Sequence, residues 1–93
     1  MADALQIRHD ASARAFEVVV DGLRNDLTYR LTDGVMHIVH TGVAPGLQGR
    51  GIAAALVRAA LEWAQAGGLK VNPVCSYVRA YMKRHPETEA LRA

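Results

Sequence analysis

The stretch Gly46-Leu47-Gln48-Gly49-Arg50-Gly51 runs directly into a long apolar segment that begins at Ile52. Glycines at this density in front of a helix suit the binding of an anion. The first turn of a helix leaves backbone N–H groups unpaired, and the helix dipole adds partial positive charge there. Glycine permits positive backbone dihedrals and lets a phosphate approach the main chain. Arg50 adds a formal charge. The plain alternative is a strand-to-helix connection with glycines for packing, but three glycines carry a stability cost that packing alone seldom requires.

Three further side chains have chemical potential. His40 ends an apolar run just before the glycine-rich turn, and an unperturbed imidazole, with a pKa near ~6.5, can accept a proton. It can equally be a strand histidine held by backbone bonds. Cys75 is a potential nucleophile or a small buried residue. Tyr81 is a potential proton donor or a core ring. His37 has opposite strand parity from His40, and His9 and His85 lie near the ends, so no metal-ligand spacing is expected. Glu17 and Glu62 lack a partner that would mark either as a base.

Two halves of the chain must position these groups. The first reads as strands. Arg14–Val20 is rich in β-branched residues and stops at Asp21-Gly22; Phe16, Val18 and Val20 share one face and Glu17 the other. Leu27, Tyr29 and Leu31 alternate with Thr28 and Arg30, up to a hairpin turn at Asp33-Gly34. Val35–His40 is apolar on both faces and is expected to be a central strand. A short strand near Leu5–Arg8 is expected first, and short turns predict an antiparallel meander. The second half is helical. A helix is predicted from Gly51 to about Ala66, with Ile52, Leu56, Ala59, Ala60 and Trp63 at helical spacing and Gly67-Gly68 ending it. Leu69–Val71 predicts a short strand cut by Pro73. Ser76–Arg84 predicts a second helix stopped by Pro86, with a loose tail after Glu87. The fold class is α+β: a mostly antiparallel sheet of about five strands, one long helix and a shorter C-terminal one.

At 93 residues the chain is expected to form one domain, residues 1–93. Apolar residues make up 51%, enough for a packed core without disulfides, and the single Cys75 has no internal partner. No apolar leader or run of ~20 apolar residues is visible. A cytoplasmic location without membrane association is expected. The net charge of +2 is too mild, and its densest run Lys83-Arg84-His85 too short, for a nucleic-acid partner. It is compatible with a small anionic ligand.

Three ligand classes use such glycine-rich turns. A nucleoside-triphosphate loop needs G-x-x-x-x-G-K-[S/T], but Ile52 and Ala53 follow Gly51. A dinucleotide fingerprint is met formally by Gly49-Arg50-Gly51-Ile52-Ala53-Ala54. However, Leu69-Lys70 stands where an acid belongs, and the chain is too short for the full crevice. The third class fits best. Gln48-Gly49-Arg50-Gly51-Ile52-Ala53 satisfies each fixed position of Q/R-x-x-G-x-G/A, within Val43-Ala44-Pro45. The run resembles the acyl-CoA signature of the GNAT superfamily of N-acetyltransferases. With His40-Thr41-Gly42-Val43, Gly68–Val71, Pro73–Tyr77 and Arg84–Glu87, the chain looks like the small single-domain GNAT-like subgroup from about Phe16 to Glu87.

This resemblance implies acetyl-CoA or coenzyme A as acyl-donor substrate, no metal, and transfer of an acetyl group to an amine. Its binding residues would be Thr41, Gly42, Val43, Leu47, Gln48, Gly49, Arg50, Gly51, Ile52 and Ala53. By the same resemblance the strand before the signature splays from its neighbour at Thr41–Val43 and meets the pantetheine arm. Gly42 would suit that bend, or be a bulge glycine. Cys75, Tyr81 and His40 become the catalytic candidates. Tyr81 lies in a segment resembling Y-x-x-x-G-F, with His85-Pro86 in place of Gly-Phe; Cys75 would line the thioester pocket or act as a nucleophile; His40 would accept the amine proton. His9–Ala13 is only a turn where larger members have two helices. The acceptor side is therefore expected to be open, for a protein amine or completion by a second subunit, in a monomer or homodimer. The competing class is a non-catalytic acyl-CoA-binding or protein-interaction module that keeps the fold.

Overall fold

The computed structural model describes residues 5–93. Its sheet has five strands in sequence order: β1 (Arg8–Asp10), β2 (Ala15–Val20), β3 (Leu23–Thr32), β4 (Val35–Gly42) and β5 (Lys70–Pro73). The first four form an antiparallel meander, while β5 returns parallel to β4 after helix α1 (Ile52–Ala66). Helix α2 (Ser76–Arg84) follows β5. Asp21-Gly22 and Asp33-Gly34 turn two hairpins with positive φ at both residues, as two-residue loops between right-twisted strands demand.

One face of the sheet is buried. Phe16, Val18, Leu27, Tyr29, Met36, Ile38 and Val71 meet Leu56, Val57, Ala60, Leu61 and Ala64 of α1 and Val78, Tyr81 and Met82 of α2 in one core. Both helices thus lie on the same side. The opposite face carries a cross-strand run of charges. Arg8 pairs with Glu17 at 2.7 Å, Glu17 with Arg24 at 2.8 Å, and Arg24 with Asp26 at 3.0 Å.

Several expectations are corrected. The first strand is Arg8–Asp10 rather than Leu5–Arg8, because His9 pairs with Phe16 and stacks on its ring at 4.1 Å. Val35–Gly42 is an interior strand as expected, flanked by β3 and β5, but only one of its faces is buried. β3 starts four residues earlier than its alternating run, at Leu23. Strand β5 runs through Pro73 instead of stopping before it. Lys70 donates its backbone N–H to Gly34, just before β4, so by alternation the Pro73 nitrogen faces the other edge, where no ladder bond to β4 is lost. The tail is docked: Pro86–Leu91 forms a 3-10 helix, Lys70 Nζ donates to the Ala90 carbonyl at 2.8 Å, and the Ala93 N–H donates to Val71 at 2.9 Å.

A bulge in β4 has the largest effect on the site. Tyr29 pairs with Ile38 but Thr28 pairs with His40, so Val39 is an extra residue. Alternation reverses there. Met36 and Ile38 point into the core, and beyond the bulge it is Thr41, opposite buried Leu27, that points the same way. His37 and His40 therefore share the outer face, contrary to simple parity. His37 is held by Thr32 Oγ1 at 2.7 Å and Asn72 Nδ2 at 3.0 Å, and no metal-ligand cluster occurs among the described residues.

Candidate functional site

The site is a window between two strands. β4 and β5 pair from Val35–Lys70 to Ile38–Pro73 and then part. A tight turn, in which the Val74 N–H donates to Asn72, swings the chain away, and a bond from the Cys75 N–H to the Ile38 carbonyl at 2.9 Å is the last tie. β4 continues to Gly42, paired only with β3. The splay expected at Thr41–Val43 thus begins just after Ile38. Parallel pairing supplies one side of β4, and its early end leaves backbone groups without a strand partner.

The glycine-rich turn closes one end of this window. Pro45–Leu47 is a single 3-10 turn whose Leu47 is buried in the core, and Gln48 Nε2 reaches back to the Val43 carbonyl at 3.4 Å. Gly49 and Gly51 adopt φ of +83° and +82°, left-handed values that strain any other residue. A Cβ at either would meet nothing within 4 Å, so the space above both is open. Gly51 is the N-cap of α1, which has neither a side-chain cap nor an acidic residue in its first turn. The first α1 bond runs from Ala55 to the Gly51 carbonyl, so the preceding N–H groups have no helical acceptor. An uncapped helix end of this kind fits a bound phosphate.

A cavity of about 350 Å³ joins these parts. It is lined by Thr41, Val43, Leu47, Gln48, Gly49, Gly51, Ile52, Ala53 and Tyr77. Arg50 is absent from it. Its guanidinium turns to the other flank of α1 and pairs with Asp21 at 3.2 Å across an exposed contact.

Cys75 sits at the inner end of the window. It is half-buried at the N-cap of α2, and its thiol donates to Thr41 Oγ1 at 3.8 Å. Burial alone pushes the thiol pKa up. The backbone N–H of Val78, the Thr41 hydroxyl and the N–H groups of Tyr77 and Thr41 outweigh it and hold the pKa below the ordinary value. The sulfur stays near these N–H groups without closing a formal cap bond. A lowered thiol pKa at a helix N-terminus is the usual setting of a reactive cysteine.

Tyr81 stands elsewhere. It is buried, stacks on His85 at 4.0 Å, and borders a different groove with Arg58, Leu61 and Leu91. Tyr77, one turn earlier, is the tyrosine that lines the cavity. His40 lies on the outer face, its side chain 58% exposed, with Nε2 3.6 Å from Asp26 Oδ1. The structure brings Thr41, the glycine turn and Cys75 together, puts His40 behind them on the other face, and leaves Tyr81 outside.

Two contributors escape the sequence reading. Tyr77 falls within Pro73–Tyr77, and its spacing from Tyr81 gave no reason to choose between them. Asn25 is fully buried. Its Nδ2 donates to the carbonyls of Val18 and Leu23 at 3.2 and 3.1 Å, and its Oδ1 accepts from the Ala44 N–H at 2.8 Å, which fixes the start of the loop. Nothing in Arg24-Asn25-Asp26 signals burial.

The comparisons with known proteins agree with this geometry. The family described as GCN5-related N-acetyl-transferase matches residues 15–91. The chain is 34% identical over 85 residues to Protein NATD1 of Gallus gallus, an alignment covering 88% of this chain and 77% of that one. To Protein NATD1 of Homo sapiens it is 33% identical over 85 residues, covering 88% and 75%. The solution structure of a GCN5-like protein from Staphylococcus aureus superposes with a TM-score of 0.76 at 27% identity, covering 96% of this chain and 88% of that one. With the family matched over most of its length and the window and uncapped helix in place, the chain belongs to the GCN5-related N-acetyltransferase family.

Proposed function

We propose that the protein transfers an acetyl group from acetyl-CoA to an amine. The observation that carries this reading is the meeting of the parted β4–β5 edge with the uncapped N-terminus of α1 in one cavity. The pyrophosphate is assigned to the N–H groups of Gly49–Ala53, and the pantetheine arm runs past Val43 and Leu47. The thioester then reaches Thr41 and Cys75. The Thr41 N–H faces this point and would donate to the carbonyl oxygen as it gains charge.

The chemistry needs a neutral amine. An acceptor arriving as ammonium gives one proton to His40. The amine nitrogen then bonds to the thioester carbon, the carbon–sulfur bond breaks, and the thiolate leaves with a proton. The nitrogen sheds its second proton, so the net release is one proton per transfer. Cys75 is assigned to the thioester, where its thiol either protonates the departing thiolate or takes the acetyl group first. Tyr77 takes the place at the cavity that its neighbour one turn on does not reach.

The acceptor side supports a large substrate. Between β1 and β2 there is only the turn Ala11–Arg14, so no helix among the described residues walls the outer face of the sheet. A protein amine fits such an open face. Calorimetry with acetyl-CoA, followed by thiol release with amine-bearing peptides and proteins, tests the reading. Binding with turnover is expected. Binding without turnover on any amine would leave an acyl-CoA-binding module, and absence of binding would leave an interaction module.

A further inference from the structure

On sequence grounds Gly42 suits either a bend at the splay or a bulge; the bulge lies at Val39, and Gly42 has no positive φ. A different constraint applies to it. A Cβ built on Gly42 would stand 2.7 Å from His40 Nε2 and 3.1 Å from His40 Cε1. A Cβ essentially never stands as close as 2.7 Å to another heavy atom, so a side chain at residue 42 would push the exposed imidazole out of its place. Gly42 is the cross-strand partner of Asp26. The ring therefore lies over the glycine and turns its Nε2 toward Asp26 Oδ1, at 3.6 Å. The other carboxylate oxygen, Oδ2, accepts from Arg24 Nη1 at 3.0 Å, which fixes the carboxylate while leaving Oδ1 free to face the ring.

We infer that Asp26 is a positioning residue for His40, with Gly42 as the space that lets the pair form on the acceptor face of the window. The inference rests on the proposed amine acetylation and adds to it where the base is held and by what. His40 is adjacent in sequence to Thr41, whose side chain enters the cavity on the inner side. With the coenzyme's arm on that inner side, the amine must come from the outer one, where His40 stands. A carboxylate beside Nε2 keeps a proton on that nitrogen and leaves Nδ1 as the acceptor.

The test separates a positioning role from a structural one. Acetyl transfer is measured with an alkylamine, which is protonated at neutral pH, and with hydroxylamine, which is largely neutral. The variants are D26N, G42A, H40Q and the double variant D26N/H40Q, with R8Q as control. D26N and G42A are expected to lower kcat on the alkylamine about 10- to 100-fold. The KM for acetyl-CoA and the rate with hydroxylamine should stay within about twofold of the parent protein. D26N should cost nothing further in the H40Q background, because its effect passes through that ring. R8Q should leave the alkylamine rate unchanged, because Arg8 bonds Glu17 and touches neither Asp26 nor His40. Equal losses on both amines, or additive losses in the double variant, would overturn the inference. Should the parent protein turn over no amine, the acetylation reading fails by itself, and the contact is judged by the His40 ring ¹⁵N shifts. These should move in D26N and G42A and stay in R8Q; unmoved shifts in D26N and G42A would overturn it.

Discussion

Gly51 and Arg50 are neighbours in sequence and opposite in role. Arg50 is already paired with exposed Asp21, and a surface ion pair contributes only about 0–1 kcal/mol. Removing it should weaken acetyl-CoA binding no more than about fivefold. Gly51 sits at φ +82° beneath open space, so a branched side chain there both strains the turn and fills the phosphate's approach. Each N–H bond to a charged group contributes about 1.5–3 kcal/mol, so Gly51→Val should cost tenfold or more in Kd. Calorimetric titration of the two variants checks the order. Cys75 offers a second residue-level test. The Thr41 hydroxyl is one of the groups holding its thiol below the ordinary pKa. Thr41→Val should move the pH midpoint of Cys75 alkylation upward, read by mass spectrometry of the modified fraction. An unmoved midpoint would separate the thiol from that hydroxyl.

At the scale of elements, patterns that recur along the chain were legible and contacts made once were not. Asp33-Gly34, the α1 periodicity and the Ser76–Arg84 helix follow from local turn chemistry and spacing, and each stands where the sequence puts it. The glycine-rich turn was likewise readable, since its residue types carry their own backbone demands. The bulge at Val39 has no local signal, because an extra strand residue is selected by its neighbours. It reverses every inference from parity beyond it, including which face His40 occupies. The docked tail was missed for a similar reason: Lys70 and Val71 hold it from more than fifteen residues away in sequence. Asn25 is a third such case, and it joins β2, β3 and the loop. Asn25→Ala would strand the Ala44 N–H and leave the buried Val18 carbonyl and the partly buried Leu23 carbonyl without that donor. It should cost roughly 2–4 kcal/mol and lower Tm by about 10–25 °C in a thermal melt, with weaker acetyl-CoA binding at temperatures where the variant is still folded.

The molecule as a whole places the β4–β5 window at one end of the sheet and an aromatic cluster at the other. His9 stacks on Phe16, meets the Trp63 ring at 4.6 Å, and shares a 2.6 Å bond with the Tyr29 hydroxyl. Burial lowers the His9 pKa, against a smaller upward pull from Asp10. The folded state thus resists a proton that the unfolded chain accepts near pH ~6.5, so stability should fall as pH drops from there toward the folded value. Urea midpoints at pH 7.5 and 5 should differ in the parent protein and differ less in His9→Gln. The central claim concerns the other end, and amide chemical-shift mapping during titration with acetyl-CoA tests it most directly. Shifts concentrated at Thr41, Gly49–Ala54 and Cys75–Tyr77 are the predicted result. Shifts confined to the Arg50–Asp21 flank of α1, or no shifts at saturating cofactor, would contradict it.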